Sequence, residues 1–186
     1  MQSLIRQLFV NDPVWTLFPG SEGNIEVLLA LGFIVLSLLL LKLTRSRNLM
    51  WLIALSYLFG LLFLTLFTRT PGPNRISLLV PFTTIRNALD WQDGGLRVID
   101  YMNLYALIGN VLLFVPFGYL LPKAFPKTAK FYLTIPAGLL ASLAIETTQY
   151  ITKLGCSDVD DLIANTIGAA IGYLLFLLVL RGRKKR

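Results

Sequence analysis

Residues 48–67 form a run of twenty without a single charged side chain. An α-helix rises 1.5 Å per residue, so ~20 apolar residues cross a hydrocarbon core ~30 Å thick. Four more segments have similar length and character: residues 25–43, 102–121, 131–150 and 162–180. The first carries charge only near its ends, at Glu26 and Lys42. The third carries Asn103 and Asn110, the fourth Glu146 and the fifth Asn165. None shows the continuous polar stripe of a helix packed on a water-soluble core. The predicted fold is an all-α polytopic membrane helix bundle of about five transmembrane helices.

Charge places the ends. Lys42, Arg45 and Arg47 lie between the first and second spans, and Lys123, Lys127 and Lys130 between the third and fourth. Arg181, Arg183, Lys184, Lys185 and Arg186 follow the fifth. Five spans put these three clusters on one side, which the positive-inside rule makes the cytoplasm, leaving the N-terminus outside. A four- or six-span count would scatter the clusters. Only 15% of residues are charged, against about 25% in soluble domains, and mean hydropathy is +0.69. The net charge of +7 is therefore a topology signal with affinity for anionic lipid, not a nucleic-acid patch.

The chain divides into an extracytoplasmic segment 1–23, a transmembrane domain 24–180 and a basic cytoplasmic tail 181–186. Segment 1–23 lacks the apolar core of a signal peptide. Leu4, Ile5, Leu8 and Phe9 fit a short interfacial helix, with Trp15 at headgroup level, and a loose tail fits as well. Residues 68–101 form an external loop long enough to suspect function. Its apolar run, residues 77–85, either lies in the membrane interface or re-enters the membrane, where protein or water must satisfy its backbone. Trp91 and Tyr101 fit interface anchors.

With one cysteine, Cys156, and no histidine, the chain has no internal disulfide, no ordinary zinc site and no Ser-His-Asp triad. No cofactor is expected. The isolated polar residues carry the chemistry, because such groups inside a span are costly. Asn110, Glu146 and Asn165 lie ~6–10 Å below the outer surface, counted at 1.5 Å per residue. Helix spacing places Gly138, Ser142, Glu146, Gln149 and Tyr150 on one face, and Asp161, Asn165, Gly168, Ala169 and Gly172 on another. Pro116 is expected to kink the third span. A short outer turn brings Asp158, Asp160 and Asp161 toward Glu146, with Asp158 or Asp160 capping the fifth span.

Two readings of this cluster stand. In one, the polar groups glue helices together and the aspartates are caps. In the other, Asn110, Glu146, Gln149, Asp158, Asp161 and Asn165 line an external pocket for a lipid headgroup, a cation or a small ligand. Glu146, Asp158 and Asp161 are the metal candidates; all-oxygen donors suit Mg²⁺ or Ca²⁺. A carboxyl at position 146 also fits a proton carrier or general base.

Residues 103–122, N-L-Y-A-L-I-G-N-V-L-L-F-V-P-F-G-Y-L-L-P, resemble a block of the VanZ-like membrane protein family. So do I-E-T-T-Q-Y from Ile145, D-V-D-D-L-I-A-N-T-I-G-A-A-I-G-Y from Asp158, and V-P-F-T-T-I from Val80. Together they cover roughly residues 77–180, the strongest part of the match. The resemblance implies a bacterial cytoplasmic membrane and a cell-envelope role linked to low-level teicoplanin resistance, with no defined reaction. The family pattern marks Asn110, Pro116, Gly118, Glu146, Gln149, Asp161, Asn165 and Gly168. Many members carry an arginine around the position of Cys156. If that arginine recognises an anion there, Lys153 or a loop arginine substitutes here, or the ligand differs.

The expected partners are membrane lipids and a lipid-linked cell-wall precursor or lipoglycopeptide. An enzyme acting on a lipid-linked substrate through Glu146 and Asp161 is the alternative. A transporter is disfavoured by the absence of a repeat and of polarity in the inner leaflet.

Overall fold

The computed structural model describes residues 47–67, 69, 71–89 and 98–184, with Gly32 and Val35 as isolated helical positions. The rest of the first expected span, segment 1–23, Trp91, and the side chains of Tyr101 and Asn103 lie outside the described residues. The described residues contain the helices α1 (Arg47–Leu62, continued by a π turn, Phe63–Phe67), α2 (Thr83–Leu89), α3 (Val98–Ala124), α4 (Phe131–Thr152) and α5 (Val159–Lys184). Strands β1 (Ile76–Leu78) and β2 (Cys156–Asp158) pair as a two-stranded sheet. Among the described residues, four segments are long and apolar enough to cross a membrane: Leu49–Phe67, Ala106–Ala124, Phe131–Thr152 and Val159–Arg181. They are the expected second to fifth spans, so the protein is a helical membrane protein.

Burial runs opposite to that of a soluble protein. Thr134, Ser142, Glu146, Gln149, Asp160 and Asn165 are buried. Leu52, Leu55 and Phe59 on α1, Leu139, Leu140 and Leu143 on α4, and Ile167, Ile171, Leu174 and Leu178 on α5 are exposed. Water would penalise that arrangement, whereas acyl chains accept the leucines and drive the polar groups inward.

Two boundaries differ from the sequence reading. The 68–101 segment holds β1 and α2, and α3 begins at Val98, because no breaker separates Val98 and Ile99 from the span. Helix α5 starts at Val159, ahead of the apolar run, because a cap precedes it. Asp160 and Asp161 therefore lie in its first turn. Pro116 is buried within α3, whose helix continues to Ala124.

The chain forms two compact units. One comprises residues 1–77 and 145–157, the other residues 78–144 and 158–186. In the second unit α3 and α5 meet backbone to backbone. Gly168 lies on the carbonyl of Val111, Gly172 on that of Val115, and Gly118 on Ala169. The Gly168–Val111 and Gly172–Val115 contacts advance together along the two helices, so α3 and α5 cross the membrane the same way. Their N-terminal ends, and the segments leading into them, are on one side. Small residues four apart permit this approach in lipid, where van der Waals contact replaces the hydrophobic effect between helices. Gly138 of α4 packs on Ala169 and Phe117 of the same unit. The α3–α4 turn is tied by the Thr134 hydroxyl, which donates to Thr128 O (2.6 Å), and by Tyr173, whose hydroxyl donates to Ala129 O (3.3 Å).

In the first unit, the π turn widens the end of α1. The Thr65 hydroxyl returns to Leu61 O (2.8 Å), while Thr65 O accepts from Gln149 Nε2 (2.9 Å). Helix α4 ends with Lys153 at φ 61° and Leu154 N–H on Gln149 O (3.0 Å), a Schellman closure with lysine where glycine is usual. Two bonds hold the lysine there. Gly72 N–H donates to Lys153 O (2.8 Å), and Lys153 Nζ donates to Pro73 O (3.1 Å).

Candidate functional site

The candidate residues divide between the units: Glu146 and Gln149 lie in the first, Asn110, Asp158, Asp161 and Asn165 in the second. On α4, Ser142, Ile145, Glu146 and Gln149 are all buried and share the face expected from i, i+3 and i, i+4 spacing. Glu146 is 4% exposed, a carboxyl inside an apolar span. Gln149 spends its amide on the π-turn carbonyl of Thr65, which the unwound ladder frees.

In the second unit, Asn165 donates through Nδ2 to Ser142 Oγ (2.8 Å). Its Oδ1 is buried and has no hydrogen-bond partner among the described residues. An amide offers two donors and one acceptor, so this residue is half satisfied in a region where an unmet acceptor costs several kcal/mol. Asn110 is half-buried on α3, and Asp161 is half-buried in the first turn of α5.

Asp158 and Asp160 form a tightly bonded pair of acceptors. Asp158 Oδ1 accepts Asp160 N–H (2.8 Å), the N-cap bond of α5, as one of the two expected alternatives. Its Oδ2 accepts the Thr84 hydroxyl (2.6 Å). Asp160 is fully buried. Its Oδ1 takes Phe82 N–H (2.6 Å), and its Oδ2 takes Thr84 N–H (2.7 Å) and Ile85 N–H (3.2 Å). Asp160 thus binds the backbone that opens α2 and Asp158 the Thr84 side chain beside it, across a chain separation of 74 to 78 residues. Burial pushes the Asp158 carboxyl above the usual carboxylate range. The Thr84 hydroxyl and Asp160 N–H oppose that shift and the Asp160 charge adds to it. Among the described residues, no group of three or more His, Cys, Asp or Glu side chains converges as a metal site.

Two participants escaped the sequence reading. Thr84 sat unremarked in an apolar motif, and Thr65 gains its role only through the π turn. The signal for Thr84 was its place in the V-P-F-T-T-I run, which resembles a family motif just as D-V-D-D does.

The V-P-F-T-T-I and D-V-D-D segments both fall in a region, residues 51–180, that matches the family model VanZ/LLP1. The chain is also similar to "Protein VanZ" of Enterococcus faecium, at 38% identity over 74 residues, 40% of this chain and 45% of that protein. The match therefore spans less than half of that relative. No solved structure matches.

Proposed function

The chain belongs to the VanZ/LLP1 family, and from that premise we propose a function at the bacterial cytoplasmic membrane. It is a multi-pass envelope protein that binds a lipid or lipid-like ligand through polar groups near the outer ends of its spans. Through that binding it contributes to resistance against teicoplanin-type glycopeptides. The observation that carries this reading is the half-satisfied amide of Asn165, whose buried Oδ1 calls for a donor within an apolar span. The buried carboxyl of Glu146 supports it. A ligand with hydroxyl or amide donors on an acyl-chain anchor suits Asn165 Oδ1, and lipid-linked cell-wall precursors and lipoglycopeptides belong to that class. Asp158 and Asp160 have their oxygens engaged by the chain itself, so they support the site rather than contact the ligand.

The test is growth against teicoplanin of cells producing wild type, Glu146→Ala, Asp161→Ala or Asn165→Leu, with membrane levels of each protein measured in parallel. The expected result is loss of the resistance conferred by wild type in the Glu146 and Asp161 variants at unchanged membrane abundance. Resistance that survives in both would dismiss the pocket.

A further inference from the structure

The segment leading into α2 carries Leu78, Leu79, Val80, Pro81 and Phe82 in succession. Leu79 is 74% exposed, Val80 71% and Phe82 57%. A run of exposed large apolar side chains is unusual on any surface that meets water. Here it is also held in place. Phe82 stands at φ 64°, in the left-handed region that costs a bulky residue ~1 kcal/mol or more. Its N–H donates to the buried Asp160 carboxylate at 2.6 Å. The Thr83 hydroxyl closes the turn on Val80 O (2.8 Å), and Thr84 is fastened to both Asp158 and Asp160. A loop tip on its own would bury these residues or move; this one is clamped with its apolar side chains outward.

The clamp also sets its depth. Asp160 is the second residue of α5, in the opening turn of the segment Val159–Arg181 that is long and apolar enough to cross a membrane. The backbone N–H groups of Phe82, Thr84 and Ile85 lie within 3.2 Å of that carboxylate, so the tip is held beside the first turn of α5. The next exposed apolar residues of the same unit, Ile108 and Leu112 on α3 and Ile167 and Ile171 on α5, belong to the lipid-facing surface of the spans. The tip shares its exposed apolar character with that surface. Arg86, one turn beyond, is exposed and suits the headgroup level, where a basic side chain borders an inserted apolar patch.

We infer that residues 78–82 are a fixed-depth membrane anchor that inserts its leucine, valine and phenylalanine side chains among the acyl chains of the leaflet at the N-terminal ends of α3 and α5. The partner is the bilayer itself, through its acyl region rather than a particular headgroup. The buried aspartates serve this anchor: they hold an inherently strained backbone so that the apolar side chains reach lipid and the α2 N–H groups do not. Backbone at that depth is tolerated because Asp160 satisfies it from the protein side. The inference rests on the membrane fold and not on the ligand site.

The test replaces Cys156 with serine and introduces single cysteines labelled with an environment-sensitive fluorophore, in vesicles of phosphatidylcholine and phosphatidylglycerol. Labels at Leu79→Cys and Val80→Cys are compared with Asn74→Cys, which is exposed and polar, and Leu140→Cys, which is exposed in the middle of a span. The expected result is blue-shifted emission at 79 and 80, with quenching by nitroxide lipid at least threefold stronger than at 74 and aqueous iodide quenching at least threefold weaker. Iodide quenching at 79 and 80 equal to that at 74 overturns the anchor. So does shielding from both quenchers, which would mean a protein partner covers the tip. If position 80 does not tolerate the label, position 79, the more exposed, decides alone. Normal lipid quenching at 140 in the same preparation shows that the spans are inserted, so a failure at the tip is a failure of the anchor only.

Discussion

Asp160→Asn is expected to destabilise the protein by on the order of 3–5 kcal/mol, a fall of roughly 10 °C in a thermal melt of the detergent-solubilised protein. The replacement is nearly isosteric, so the loss is purely one of acceptors. Oδ2 takes two backbone N–H groups, from Thr84 and Ile85. An amide NH₂ in its place would face both donors with donors of its own. Rotating the amide only moves the conflict to Phe82 N–H. Asp160→Ala should be at least as damaging, since it leaves all three N–H groups unmet. The neighbouring Asp158→Asn behaves differently. Its amide oxygen keeps the cap to Asp160 N–H and its NH₂ donates to the Thr84 hydroxyl, which accepts as readily as it donates. Its cost should stay within ~1 kcal/mol. The sign of the pH dependence follows from the raised Asp158 pKa. The folded state holds that proton more tightly than the unfolded chain, so the stability this group contributes is lost as pH rises from the ordinary carboxylate range through its raised value. Asp158→Asn abolishes that slope, so its cost relative to wild type shrinks as pH rises. Equal melting temperatures for the two asparagine variants would refute the different roles given to the two carboxylates.

Gly172→Ala should be the second large effect, because a methyl group there has nowhere to go. Its Cβ would lie 1.9 Å from Val115 O, a backbone atom, with Tyr119 N at 2.9 Å. Gly118→Ala meets Ala169 O at 1.9 Å. Either forces α3 and α5 apart, a cost of ~3 kcal/mol or more where overpacking of yielding side chains costs ~1–3. Gly109→Ala on the same α3 is the control. A Cβ there meets nothing within 4 Å, and the helix should gain ~0.5–1 kcal/mol from the lost glycine. Folded yield and melting temperature of the fluorescent-tagged variants in detergent measure all three. Intact folding of Gly172→Ala at wild-type stability would mean the two helices do not cross as described.

The second to fifth spans were legible because long, nearly uncharged apolar runs have lipid as their natural solvent. The helix faces were legible too: Ser142, Glu146 and Gln149 were placed together from spacing alone, as were Asn165, Gly168 and Gly172. What sequence could not give were pairings between distant segments. That Asp160 serves Phe82, Thr84 and Ile85 rather than a ligand depends on a turn with a left-handed phenylalanine, for which the residue type is no signal. The π turn at Phe63–Phe67 is similarly silent, since nothing in F-L-T-L-F distinguishes it from an ordinary helical turn. The end of α4 misleads in a third way, because Gly155 suggests the left-handed cap that Lys153 supplies. The expectation that Asp158 lines a pocket came from the crowding of aspartates in sequence, whereas Asp158 and Asp160 both face the chain.

The account depends on lipid as the solvent for these helices, with leucines outward and carboxyl and amide groups inward. Oxygen and nickel-chelate accessibility of nitroxide labels placed singly along residues 139–151 of α4, in bilayers, reads this directly. Oxygen accessibility is expected to peak at positions 139, 140, 143 and 151 and to reach minima at 142, 145, 146 and 149, following the burial of those side chains. A flat profile, or maxima at 142, 146 and 149, would contradict it.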